Sequence, residues 1–286
     1  MPAAQTSNGY IYLNVTDLFC AWNVYRGVLA SAHIVTRQPG CLSAWIAASI
    51  RRGPGSARVI RECGLERIRR AHYQEKVPRT QGIYTFPDRE SADRARAEWQ
   101  LPHLSADNLA EVALSDVRRL SRHDSNWITY HNDDPDPNWK QAYWKGEPCP
   151  GHTAIWEQLV EGHVVIYGTS LRQRAYEVVK ASAPDSLMFL ETGRIAALLG
   201  SEVGSIAAFI VPQGGDYAMM YYLNMEEAED PGFLAKMKAY MCSGAPVNRQ
   251  DIAPFVKRGT WGSTPNFMSQ TLVIPKSEMP HFADFL

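Results

Sequence analysis

The stretch Leu65 to Trp99, LERIRRAHYQEKVPRTQGIYTFPDRESADRARAEW, constrains this chain more than any other. Arg58 to Tyr73 reads as a helix, because Leu65, Ile68 and His72 recur three and four positions apart. Pro78 forbids its continuation. Gly82 to Phe86 reads as a strand with aromatic and β-branched residues. Asp88 can cap a second helix running through Trp99, with Ala92, Ala95 and Trp99 on its inner face. One arginine, Arg79, stands in the turn before the strand. A guanidinium suits bidentate contact with a phosphate, and Tyr84 can stack a flat ring beside it. A solvent-facing loop arginine is the plain alternative.

Other elements follow from the same signals. Tyr10 to Val15 is a short strand, and Ser43 to Ile50 a helix stopped by Gly53-Pro54-Gly55. Residues 131–140 are a polar loop with two prolines. Thr153 can cap a helix ending at Gly162, followed by a strand from His163 to Tyr167. Apolar runs predict strands at Leu187–Leu190, Ile206–Val211, Tyr217–Leu223 and Thr271–Ile274. Gly214-Gly215 is a hairpin turn, and Asp230-Pro231 opens a helix carrying Phe233, Met237 and Tyr240. Strands and helices mix without regular βαβ alternation, which favours an α+β fold over a doubly wound sheet. A boundary near Gly168–Leu171 would divide the chain into 1–168 and 169–286.

Composition excludes rather than selects. Apolar content of 45% and charged content of 21% are those of a globular protein, and a net charge of −1 gives no global attraction to nucleic acid or membrane. No apolar run reaches the roughly 18 residues of a spanning helix. The first residues, MPAAQTSNGYIYLNV, lack a basic region followed by an apolar run, so no secretory signal is expected. Five scattered cysteines suggest reduced thiols and a cytoplasmic location. No Walker motif, G-x-G-x-x-G or G-x-S-x-G is present. Cys149-x-x-His152 has ligand-like spacing but no second pair, and His131 with Asp133 and Asp134 is a weak cation candidate; no metal is expected. Arg51, Arg52, Arg58, Arg61, Arg67, Arg69, Arg70, Lys76 and Arg79 form a basic run against Glu62, Glu66 and Glu75. It can be one exposed face contacting a nucleic-acid backbone or an acidic partner, or simply a solvated helix face.

The segment IRRAHYQEKVPRTQGIYTF, with YIYLNV upstream and AYWKGEP (142–148) and WEQLVEGHVVIYG (156–168) downstream, resembles a group of bacterial proteins with an ADP-ribosyltransferase-like fold. Their pattern is a basic helix, Pro-Ser-Arg, two residues, Ser, one residue and Phe, then a "YW" segment and a WE-x-L-x-x-G turn. The likeness spans roughly residues 10–168. Asn14 stands where that pattern has a histidine, Pro78 where it has the first serine and Gly82 where it has the second.

The resemblance implies a split β-sheet core that binds NAD as a substrate, with residues 169–286 completing the sheet or contacting a target. It implies a transferase of glycosyltransferase type that breaks the nicotinamide–ribose bond. Arg79 would anchor phosphate, Tyr12 and Tyr84 would stack or shape the pocket, Gly82 would line it and Asn14 would bond a ribose hydroxyl. Glu157 would be the catalytic carboxylate, stabilising an oxocarbenium-like state and orienting the nucleophile, with Glu191 as the competing candidate. Arg61, Arg69 and Arg70 would hold the acceptor, with nucleic acid slightly favoured over protein or a small molecule. Two alternatives stay open: a non-catalytic nucleic-acid or protein binding module on the same fold, and a nucleotide-using enzyme of small-molecule biosynthesis.

Overall fold

The computed structural model describes residues 7–132, 134, 136, 138–259, 262–279 and 282. Its strands are β1 (Ser7–Tyr12), β2 (Val28–Ala30), β3 (Cys41–Leu42), β4 (Ile83–Thr85), β5 (Leu109–Asp124), β6 (Trp156–Ile166), β7 (Ile206–Gln213), β8 (Asp216–Leu223) and β9 (Leu272–Ile274). Its helices are α1 (Leu18–Arg26), α2 (Ala32–Val35), α3 (Ala44–Arg52), α4 (Ala57–His72), α5 (Arg89–Trp99), α6 (Asn126–Tyr130), α7 (Asn138–Lys145), α8 (Thr169–Ser182), α9 (Leu187–Leu198), α10 (Pro231–Cys242) and α11 (Arg249–Arg258). The fold is α+β, built on two antiparallel sheets.

The first sheet has the order β1-β5-β6-β2, and β4 joins the same edge of β6 that β2 uses further along. Just past β4, Phe86 exchanges backbone hydrogen bonds with Tyr10 of β1, at 2.9 and 2.7 Å. The sheet thus curls until its two edges touch at one end, and Gly9 allows the contact: a Cβ there would stand 3.1 Å from the Phe86 carbonyl. The second sheet has the order β3-β7-β8-β9, its β7–β8 hairpin turning at Gly214-Gly215 as the sequence predicts.

One apolar core joins the sheets. It holds Trp22 and Val24 of α1, Val112 of β5, Val164 of β6, Ala175 of α8, Leu190 of α9 and Ile210 of β7. It draws on both sides of residue 168, so packing shows no break at the expected boundary. Among the described residues no helix is long and apolar enough to cross a membrane.

Two sequence expectations are corrected. Of the helix expected from Thr153 to Gly162, residues 156–162 are instead the first part of strand β6. β6 is hydrogen-bonded along both edges, and the ladder energy of a central strand overrides local helix preference. The strand expected at Leu187–Leu190 is the first turn of α9, which buries Leu187 and Leu190 in the core. A short apolar run does not by itself distinguish a strand from a buried helix.

Candidate functional site

Helix α4 is capped by Ser56, whose side chain accepts from the Val59 amide. Its inner face reads Val59, Glu62, Leu65, Glu66 and Arg69, all buried. Two carboxylates therefore sit at positions where helical spacing would place apolar residues. Each meets an arginine. Glu66 holds Arg69 through two contacts of 2.8 Å and reaches Arg70 at 3.2 Å. Glu62 clamps Arg79, its Oε2 accepting from Nε at 2.7 Å and its Oε1 from Nη2 at 3.1 Å.

The third guanidinium nitrogen of Arg79, Nη1, donates to Glu157 Oε1 and contacts the Tyr143 hydroxyl. Tyr143 itself donates to Glu157 Oε1 at 2.6 Å. The rings of Tyr84 and Tyr143 flank the guanidinium, with centroids 5.0 and 5.2 Å from its carbon. Tyr84 also donates its hydroxyl to the Arg79 carbonyl at 2.7 Å. Burial opposes the charge on Arg79, but Glu157 and Glu62 outweigh it and hold its pKa well above the ordinary value. Burial raises Tyr143 strongly, and Glu157 adds to that, so the phenol stays a proton donor.

Behind Tyr143 lies His123, fully buried and directly opposite Glu157 in the β5–β6 register. It stacks on the Tyr143 ring at 4.5 Å with 20° between planes. Its Nδ1 is 2.8 Å from the Tyr143 carbonyl, which can only accept, so Nδ1 carries the proton and Nε2 has no partner among the described residues. Burial pushes its pKa down to about 3, helped by the charges of Arg79 and Lys76. A histidine kept neutral in the fold but free to protonate when unfolded makes stability fall with acid. The loss should begin near the ordinary pKa of about 6.5 and approach about 1.4 kcal/mol per pH unit below it. Urea unfolding at pH 7 and pH 5 checks this. His123→Phe should flatten the difference, and an equal acid loss in parent and variant would assign the effect elsewhere.

The buried network forms the floor of a cavity of about 460 Å³, to which Arg79, Glu157, Tyr12, Tyr84, Arg58, Arg61 and Trp99 all contribute. A second, more apolar cavity of about 200 Å³ adjoins it, lined by Leu13, Phe19, Leu29, Ile83, Asn14 and Gly82 among others. Tyr12, Trp45, Tyr84 and His103 line both, so the two are neighbouring halves of one cleft region.

The structure brings several expected residues together and separates others. Arg79, Tyr12, Tyr84, Glu157 and Arg61 meet at the larger cavity, whereas Asn14 and Gly82 line the smaller. Arg79 is only 3% exposed, with every guanidinium nitrogen engaged by Glu62, Glu157 or Tyr143. The Asn14 side-chain oxygen accepts from the Thr16 hydroxyl at 2.7 Å. Gly82 is needed for space: a Cβ there would lie 2.7 Å from Val77 Cγ1.

The basic run does not form one exposed face, which corrects that expectation. Arg69 is buried against Glu66, Arg70 lies on the outside, and neither lines the cleft that Arg61 lines. A buried guanidinium is tolerated because α4 supplies its own carboxylate one turn away. Glu191 is a residue of α9 and not of a strand end. It accepts from Tyr25 at 2.7 Å, Arg194 at 2.7 Å and the Asn248 amide at 3.0 Å, outside both cavities.

Cys149 and His152 serve local structure. The Cys149 amide donates to buried Asp124 at 2.8 Å, and His152 stacks on Tyr130 at 3.7 Å. Asp133, of the acidic loop, lies outside the described residues. Among the described residues no three metal-binding side chains converge.

Glu62, Tyr143 and His123 escape a sequence reading. The one available signal is Glu62 and Glu66 falling on the helical positions of Val59 and Leu65. No family model matches the chain, and no curated protein is significantly similar to it.

Proposed function

We propose that the chain is an ADP-ribosyltransferase-like protein that takes NAD as substrate, cleaves its nicotinamide–ribose bond and passes ADP-ribose to an acceptor. The supporting observation is the state of Glu157. Its Oε1 accepts from both Arg79 and Tyr143, while its Oε2 takes no hydrogen bond from the described residues, and the residue lines the cleft. One oxygen is fixed and the other is left for a substrate. A carboxylate so held can stabilise positive charge that develops on a sugar carbon as its bond to nitrogen breaks. The electron pair of that bond leaves with nicotinamide. The acceptor's oxygen or nitrogen then bonds the same carbon, and its proton passes to Glu157 or to water.

The rest of the cleft fits the two ends of such a molecule. The smaller cavity, with Phe19, Ile83 and Trp45, suits a flat ring, and the Asn14 and Gln81 amides there can meet a carboxamide. The larger cavity, with Arg58 and Arg61, suits an anion. In this reading Arg79 is a positioning residue for Glu157, and phosphate falls to the arginines that have no carboxylate.

A second reading follows from the same ion pair. Arg79 partly neutralises Glu157, and a carboxylate used only to balance an arginine needs no chemistry. On that reading the cleft binds a nucleotide without cleaving it. Incubation with NAD separates the two. Free nicotinamide and a mass gain on an acceptor, or free ADP-ribose when water is the acceptor, support transfer. NAD at 100 times its dissociation constant should also stabilise the fold by about 2.7 kcal/mol. The absence of both nicotinamide release and a thermal shift would overturn the proposal.

A further inference from the structure

We infer that Arg52, Arg58, Arg61 and His103 form a diphosphate subsite on the rim of the cleft, so that it selects nucleoside diphosphates over monophosphates and neutral nucleosides. This rests on the nucleotide reading above and extends it to residues that neither the resemblance nor the Arg79 network assigns to phosphate.

The first observation is which arginines lack a counter-ion. Arg51 pairs with Asp17, Arg69 and Arg70 with Glu66, and Arg79 with Glu62 and Glu157. Among the described residues, no carboxylate lies within ion-pair distance of Arg52, Arg58 or Arg61. Arg58 and Arg61 follow one another at i and i+3 on α4 and line the larger cavity. Arg52, at the end of α3, lines the smaller one, and His103 lines both. Arg52, Arg58 and Arg61 therefore bring positive charge to the cleft with no carboxylate among the described residues paired to it.

The second is that the arginines repel one another and keep the neighbouring imidazole uncharged. Burial lowers the pKa of Arg58, the charge of Arg52 lowers it further, and Glu62 offsets only part of this. His103 is lowered by burial and then by Arg52 and Arg58. Positive charges gathered this way are destabilising until an anion joins them.

The third is a pair of orphaned donors. Arg61 Nη1 donates to Asn132 at 2.7 Å, but Arg61 Nε and Trp99 Nε1 are buried with no acceptor among the described residues, and both residues line the larger cavity. Buried donors without partners are rare in folded proteins, because each forfeits its hydration. A phosphate oxygen would satisfy both kinds of donor.

The geometry also speaks for a nucleotide over a free anion. Arg58 lies over the Trp45 ring at 5.4 Å, which fixes its fork beside an aromatic wall shared with Tyr12 and Tyr84. Base stacking and phosphate contacts are then available to one ligand. Three guanidinium groups and an imidazole exceed the needs of one phosphoryl group, and match two adjacent ones.

Calorimetric titration of the full chain with ADP, AMP and adenosine tests the inference. ADP should bind at least about tenfold more tightly than AMP, and AMP more tightly than adenosine, since charge-assisted contacts are worth roughly that factor each. Arg58→Gln/Arg61→Gln should lose about tenfold or more on ADP and little on adenosine. Arg118→Gln, an exposed change on β5, should match the parent. Should the double variant not fold, competition in the parent decides: inorganic pyrophosphate should displace ADP at concentrations where orthophosphate does not. ADP binding no tighter than adenosine, a double variant with parental ADP affinity, or pyrophosphate without effect would each overturn it. ADP binding needs no bond cleavage. A chain that binds ADP through these arginines yet releases no nicotinamide from NAD refutes transfer alone. One that releases nicotinamide while the double variant keeps its ADP affinity refutes the subsite alone.

Discussion

Arg79→Met should cost about 3–5 kcal/mol of folding stability, the penalty for removing one partner of a buried ion pair. Its side chain is 4% exposed, and those of Glu62 and Glu157 are 2% and 8% exposed. Without the guanidinium, two carboxylates face each other across a space lined by Tyr84 and Tyr143, with no cation at the centre. Burial of an uncompensated charge is far more expensive than loss of the contact itself. Neutralising the carboxylates as well, in Glu62→Gln/Arg79→Met/Glu157→Gln, should recover much of the loss. Arg79→Lys should fall between, because one ammonium cannot reproduce a fork that reaches both carboxylates. The midpoint of urea unfolding measures all three. A shift in Arg79→Met equivalent to less than about 1 kcal/mol would show that Arg79 is better solvated than its geometry implies.

Glu157→Gln should lower NAD cleavage by about 10²–10³-fold, the usual weight of an electrostatic contact that strengthens in the transition state. The amide keeps the volume and can still accept from Tyr143, so the fold should survive with a loss of about 1–3 kcal/mol. Glu62 remains to balance Arg79. Nicotinamide release, followed beside unfolding, separates the two effects. Glu191→Gln is the control. Glu191 is fully engaged by Tyr25, Arg194 and Asn248 away from the cleft, so its variant should lose stability and keep its rate. Equal rates in all three proteins would leave Glu157 as a counter-ion and favour the binding-only reading. Loss in the Glu191 variant alone would move the chemistry to α9.

What was legible beforehand was local. The helix over 58–73, the strand at Gly82–Phe86 and the Asp88-capped helix could be placed because cap, period and breaker act within a few residues. The same is true of the hairpin at Gly214-Gly215 and the helix opened by Asp230-Pro231. Where neighbours in space decide, local reading failed. Residues 156–162 form a strand because β5 lies on one side and β4 on the other. Residues 187–190 form a helix because α9 packs into the core beside α1.

For the site, the sequence by itself determined the ingredients: an arginine in a tight turn before an aromatic strand, a carboxylate at Glu157, and a surplus of arginine along one helix. Only the tertiary structure decided which charges meet. Glu62, Arg79, Tyr143 and Glu157 come from α4, the following turn, α7 and β6, and fold packing alone brings them within hydrogen-bond reach. The same packing gives Arg79 its carboxylates and leaves Arg52, Arg58 and Arg61 without any among the described residues, whereas Arg69 finds Glu66 one turn away on its own helix. An arginine's role depends on whether a counter-ion lies within a few ångströms, and that distance is set by the fold and not by the residue's place in the chain.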